Sequence, residues 1–155
     1  MRRVVIKARI VKLKVSSRAA DAHIRYLQRD GTTREGERGR LYGTETDNAD
    51  GRAFRERGRE DRHQFRFIVA PEDGDRLSDV RAFTRDLMRQ TEEDLGTRLD
   101  WIAVDHFNTG HPQSHVVIRG RDDLGKDLII AQGMFVGGCH LQPNILLKDK
   151  REMAW

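Results

Sequence analysis

At 155 residues the chain is long enough for one domain with a substantial core. Hydrophobic residues make up 37% and charged residues 35%, a polar composition that does not indicate wholesale disorder. Basic residues number 29 against 25 acidic ones, for a net charge of +4, and the single cysteine, Cys139, excludes an internal disulfide and a cysteine-based zinc site. Arginine is the commoner basic residue, and its planar fork of donors suits phosphate. A net charge this small does not by itself imply nucleic acid.

In chain order, "MRRVVIKARIVKLKV" alternates basic and apolar residues. The alternation from Val4 to Val15 predicts a long strand whose basic face carries Lys7, Arg9, Lys12 and Lys14. This segment has neither the layout of a signal peptide nor the length of a membrane span, so the reading is no membrane partner and a cytoplasmic location. Ser16 and Ser17 offer an N-cap for a helix over "RAADAHIRYLQRD", with Ala20, Ile24 and Leu27 as its apolar stripe and Gly31 as its stop. His23 and Tyr26, three apart, share a neighbouring face of it. Residues 31–62 are dense in charge and glycine and read as a long excursion with one short helix near Gly51 to Arg57.

"HQFRFIVAP" predicts a strand stopped by Pro71, and Asp75 to Leu95 predicts the main helix, ended by Gly96. "RLDWIAVDH" and "SHVVIRG" predict a hairpin, and "KDLIIA" a further strand. The order implies an α+β fold: a largely antiparallel central sheet with helices packed on one face. The segment from Gln132 to Trp155 loses the arginine-rich character and yields no assignment.

The predicted hairpin "DHFNTGHPQSHVVIRG" holds His106, His111 and His115. Strand side chains repeat every two residues, so Ile102, Val104 and His106 share a side, as do His115 and Val117. A register that sets His106 opposite His115 converges two imidazoles on one sheet face, with His111 in the connection. Imidazoles on rigid strands make a platform for a transition metal. A solvated hairpin whose histidines cap turn amides is the competing reading. Asp105 points to the opposite strand face, and Asn108 lies in the connection.

Together with "HIRYLQRDG" and "HQFRFIVAPEDG", this stretch resembles the relaxase domain of bacterial mobilisation proteins. These are the strand-transferring nucleases of conjugative plasmids and integrative elements, related to the nuclease that cuts T-DNA borders. The similarity runs from about Val4 to Ala131, which sets residues 1–131 as the relaxase-like nuclease domain and 132–155 as a divergent tail. The family continues into a longer protein, so truncation or a frame shift near residue 132 is the expectation there. The resemblance rests on Tyr26 in "YLQRDG" and on a histidine motif whose three positions are here His106, Gln113 and His115. Gln113 departs from the family, which has histidine at that position, and an amide oxygen is a poorer donor for a transition metal.

The resemblance implies a relaxase fold of ferredoxin-like (RNA-recognition-motif) topology and a metal-assisted transesterification of single-stranded DNA at a transfer origin. Tyr26 is the implied nucleophile, giving a 5′-phosphotyrosyl link. A free phenol has a pKa of roughly 10 and needs activation. Mg²⁺ or Mn²⁺ is the implied cofactor, on His106 and His115 with His111 as a substitute third ligand. His63 is a candidate general base, and Tyr42 is the alternative nucleophile. The DNA is expected along the basic strand face and the helix-turn that carries Tyr26, with Arg25, Arg29, Arg38, Arg40 and Arg119 as candidate phosphate contacts, and accessory relaxosome proteins are the further partners. Two alternatives stay open: a single-stranded-DNA-binding remnant that has lost catalysis, and a metal-dependent hydrolase using His106, His111 and His115.

Overall fold

The computed structural model describes residues 4–13, 18–29, 38–71, 79–107, 111–130 and 145–148. Five strands and three helices follow in the order β1 (Val4–Lys12), α1 (Arg18–Leu27), α2 (Gly51–Arg57), β2 (His63–Pro71), α3 (Val80–Leu95), β3 (Trp101–His106), β4 (Gln113–Arg119) and β5 (Ile145–Lys148). They build one sheet in the order β3-β4-β2-β1-β5. The β1–β2, β2–β4 and β3–β4 pairs are antiparallel, and β5 adds in parallel beside β1. The fold is therefore α+β with a largely antiparallel sheet. Among the described residues no helix is long and apolar enough to cross a membrane.

Helices cover both faces of the sheet, not one. Phe83, Leu87 and Met88 of α3 pack with Phe65, Phe67, Val69, Val116 and Ile118 on one side. Ile24 and Leu27 of α1, Phe54 of α2 and Leu41 pack with Ile102, Val104 and Val117 on the other. The physical reason lies in the strands. β2 and β4 are buried in near-continuous runs, not in alternation, so both their faces leave water. Each buried Leu, Ile or Phe side chain is worth about 1.5–3 kcal/mol, enough to hold a short helix that would not form alone.

The charged excursion is anchored by its few apolar residues. Leu41, Tyr42 and Phe54 are all buried. Tyr42 exchanges two backbone hydrogen bonds with Ala103, at 2.8 and 2.9 Å, and so covers part of the outer edge of β3. Asp50 caps α2 by accepting from the Arg52 and Ala53 amides, and Asp79 caps α3 by accepting from Ala82. Gly96 closes α3 in the left-handed region, with φ of 69°.

Other expectations shift. "KDLIIA" is not a strand: it contributes one isolated bridge, Arg121 to Asp127, while Leu128 is buried and Ile129 is exposed. The fifth strand is instead β5, within the segment that gave no assignment from sequence. On β1, Lys7 and Arg9 share the α1 side of the sheet and Lys12 faces the other way, so the basic face is shorter than expected. Ser16, Ser17, Gly31, Asn108, Lys14 and the expected start of the main helix at Asp75 lie outside the described residues.

Gly120 follows β4 where its backbone crosses that of His63. A Cβ there would stand 2.1 Å from the His63 carbonyl oxygen, and backbone cannot step aside as a side chain can. Gly120→Ala should therefore lower stability by about 1–3 kcal/mol, read from the urea midpoint, whereas Gly125→Ala relieves no such contact and tests only its positive φ.

Candidate functional site

The hairpin register places His106 opposite Gln113 and Val104 opposite His115. The two histidines are thus offset by one step, not opposed as the sequence suggested, yet they share the face that α1 covers. Their ring centroids are 4.1 Å apart at an interplanar angle of 41°. All three positions of the histidine motif, His106, Gln113 and His115, lie together there. His106 is 1% exposed and His115 7%.

His106 Nε2 donates to the carbonyl oxygen of Leu27, the last residue of α1, at 2.7 Å. A helix leaves its final carbonyls without partners, so this bond satisfies both groups and fixes the imidazole tautomer. Nδ1 is then the lone-pair nitrogen, buried and without a hydrogen-bond partner among the described residues. Gln113 Nε2 lies 3.3 Å from His115 Nε2, so an amide hydrogen reaches the second ring's lone pair.

Burial holds these rings neutral. It pushes the His115 pKa down to about 3, with His106, His23 and Arg29 as further neighbours that disfavour a positive charge there. His106 is lowered by burial and by Arg29, against the Leu27 carbonyl, which favours its protonated form. His23 on α1 also falls to about 3, from burial and then from Arg66 and Arg9.

Metal ligands must be unprotonated, so neutral imidazoles with one nitrogen tied to a carbonyl have the form such a site needs. Among the described residues no group of three or more His, Cys, Asp or Glu could hold a metal ion. A smaller set of donors shares this face: His106 through Nδ1, His115, and the Gln113 side-chain amide. Two nitrogens and one neutral oxygen suit Mn²⁺ or a softer ion better than Mg²⁺.

The remaining candidates scatter. His111 is exposed in the connection between β3 and β4. His63 is on the α3 side of the sheet, its ring edge-on to Phe65 and its Nε2 2.8 Å from the Leu128 carbonyl oxygen. Five residues separate it from Ile68, the cross-strand partner of His115, or roughly 16 Å along β2. His63 is not placed to act as a base for this site. Arg119 is committed to Asp61 through a two-pronged pair at 2.9 and 3.0 Å, with Asp100 beside it, and is not a free phosphate contact. Arg25, Arg38 and Arg40 are exposed.

Tyr26 is 52% exposed on α1, one residue before the carbonyl that His106 holds. The Arg29 guanidinium lies over its ring, 4.4 Å from the centroid, and Arg29 Nη1 donates to the Tyr26 carbonyl. Tyr42, the alternative nucleophile, is fully buried on the opposite side of the sheet. Its hydroxyl donates to Asp105 at 2.6 Å, and Ser114 donates to the same carboxylate oxygen at 2.6 Å. Thr84 Oγ1 of α3 lies 2.7 Å from Ser114 Oγ. Burial, then the Asp105 charge, raises the Tyr42 phenol well above its ordinary range, which leaves it a poor nucleophile.

Sequence reasoning did not assign His23 and Arg66 to this face. His23 was legible only as the residue three before Tyr26. Arg66 had no signal, because one arginine inside an apolar strand looks like ordinary alternation. A wide groove of about 1000 Å³ runs past Gly43, Asp50, Glu93 and Trp101. It opens at the start of β3, roughly 16 Å from His106 at its end, and mixes acids with arginines. No family model matches the chain, and no curated protein or solved structure does.

The histidine shifts set a pH dependence. An unfolded histidine titrates near 6.5, while His23 and His115 titrate at about 3 when folded. Between these values the unfolded chain binds more protons, so stability rises with pH. The contribution is fully present above about pH 6.5 and is lost as pH falls toward 3, at no more than about 1.4 kcal/mol per pH unit per histidine. Urea midpoints measured from pH 7 to pH 4 should fall, and fall less steeply in His115→Asn; parallel profiles would remove His115 from the account.

Proposed function

We propose that the chain nicks and rejoins single-stranded DNA at a transfer origin, as the mobilisation relaxases it resembles do, on a sheet of the relaxase type. The observation that carries this reading is the convergence of His106 and His115 on one sheet face, with the end of the Tyr26-bearing helix hydrogen-bonded to one of them. The protein would work with a single strand and with accessory proteins of a relaxosome.

Tyr26 Oη attacks the phosphorus of one phosphodiester. The new bond is phosphotyrosyl, to the 5′ side of the break. The bond to the 3′ oxygen breaks, and the phenolic proton ends on that oxygen. One phosphodiester is exchanged for another, so the step reverses readily and the strand can be rejoined. His106, His115 and the Gln113 amide would hold a divalent cation, Mn²⁺ or Mg²⁺, which would supply positive charge to offset the phosphate charge during the transfer. Arg29 restrains the Tyr26 ring by stacking on it. Burial keeps both histidines unprotonated and able to ligate at neutral pH.

A second reading, a DNA-binding remnant without cutting activity, draws on Gln113. Its amide faces the lone pair of His115, a neutral contact that competes with a cation for the same nitrogen.

The deciding experiment mixes the protein with random-sequence single-stranded oligonucleotides and Mn²⁺, then separates the products under denaturing conditions. A covalent adduct should form, vanish in Tyr26→Phe and persist in Tyr42→Phe. Salt-sensitive binding with no adduct would favour the remnant. A third imidazole in Gln113→His should raise Mn²⁺ affinity about tenfold or more, some 1.4 kcal/mol, by calorimetric titration; no gain would exclude position 113 as a ligand.

A further inference from the structure

Arg66 sits near the middle of β2 on the face that α1 covers, and it is 7% exposed. Its Nε donates to Gln64 Oε1 at 2.7 Å. Among the described residues no acid pairs with its guanidinium. Arginines this buried are almost always paired, because an isolated charge in low dielectric is costly. Its cross-strand partner makes the cost larger: Arg9 of β1 stands directly opposite it. Like charges directly opposite on a sheet repel. Burial and Arg9 lower the Arg66 pKa only to about 10, so the guanidinium stays charged at neutral pH.

Among the described residues the acids beside this face are already held: Asp61 by Arg119 and Arg121, and Asp100 by Arg57 and Arg119. Of the described residues in β1, β2, β3 and β4 that point to the α1 side, none is acidic. The neighbours are instead cationic or neutral nitrogen groups. Lys7 lies one step along β1 from Arg9. His23 of α1 feels the charge of both arginines, and His115 feels that of Arg29. Arg66 is paired with Val117, two residues from His115 on the same face, a diagonal of about 7–8 Å.

A buried arginine opposed by a second arginine and paired, among the described residues, with no acid is a seat for an anion from outside the fold. We propose that Arg66 and Arg9 bind a phosphodiester of the single strand, next to the phosphate presented to His106 and His115. That the anion belongs to DNA rests on the nicking reading; the anion seat itself does not. Arg66 supplies a planar fork fixed by Gln64, and Arg9, exposed at the rim, closes on the phosphate from the neighbouring strand.

The test measures binding of a labelled oligothymidylate to the full chain by fluorescence anisotropy, without added metal, between about 50 and 200 mM salt. Arg66→Gln and Arg9→Gln should each weaken binding several-fold and flatten the log–log salt dependence by about 0.7, one phosphate contact on a single strand. Arg59→Gln, at an exposed arginine of the α2 end paired with Glu56, should change neither. Thermal unfolding separates a ligand seat from a structural arginine: without ligand, Arg66→Gln should melt at or above the wild-type temperature. Should Arg66→Gln melt lower, the exposed Arg9→Gln carries the binding measurement.

Unchanged affinity and slope in Arg9→Gln and Arg66→Gln overturn the proposal, even if the Tyr26 adduct forms. Arg66-dependent binding without any adduct keeps the seat and defeats the nicking reading. Stabilisation by inorganic phosphate that needs Arg66, with oligothymidylate binding indifferent to it, assigns the seat to a small anion and overturns the DNA phosphodiester.

Discussion

The hydrogen bond from His106 Nε2 to the Leu27 carbonyl joins the two halves of the candidate site. One partner ends the outer strand β3; the other ends the helix that carries Tyr26. Without this bond a buried imidazole would lose its donor's partner and a helix terminus would keep an unsatisfied carbonyl, a cost of about 1–3 kcal/mol for each stranded group. With it, the free lone pair of His106 is on Nδ1, and the end of α1 cannot move without moving the ring. Position and tautomer are set together.

The other side of the same hairpin fixes the strands. Asp105 and Ser114 are cross-strand partners, each adjacent in sequence to a histidine, and both face α3. A buried carboxylate there needs donors, and it finds two in Tyr42 and Ser114. Burial raises the Asp105 pKa, and those two hydrogen bonds favour its charged form. A register slip of one residue between β3 and β4 would part Asp105 from Ser114 and set the two histidines on opposite faces. The polar group on one face therefore specifies which way the imidazoles point on the other. Tyr42 enters the account here, as an anchor of the excursion and a donor to Asp105, and not as a nucleophile.

Much of this was legible in the residues. Period-two and period-3.6 patterns gave the strands β1 to β4 and all three helices, α2 with its observed bounds. They also placed Asp105 and His106 on opposite faces, because strand alternation needs no tertiary information. What pattern could not give was anything set between elements. The offset of His106 from His115 depends on hairpin register, which the turn determines. Coverage of both sheet faces depended on reading the apolar runs of β2 and β4 as doubly buried. Arg119 looked like a free cation because its partners, Asp61 and Asp100, are distant in sequence. Arg66 was hidden for the opposite reason: its significance is the lack of an acidic partner among the described residues, which only the packed structure displays.

The central claim is that His106 and His115 form one neutral, converged pair at the end of α1. The most direct measurement is NMR of the imidazole nitrogens of the six histidines during a Mn²⁺ titration. The account predicts that His106 shows the Nε2–H tautomer and titrates below an ordinary histidine, that His115 stays neutral below pH 6, and that both are broadened first. Early broadening at His63 or His111, or a protonated His115 at that pH, would contradict it.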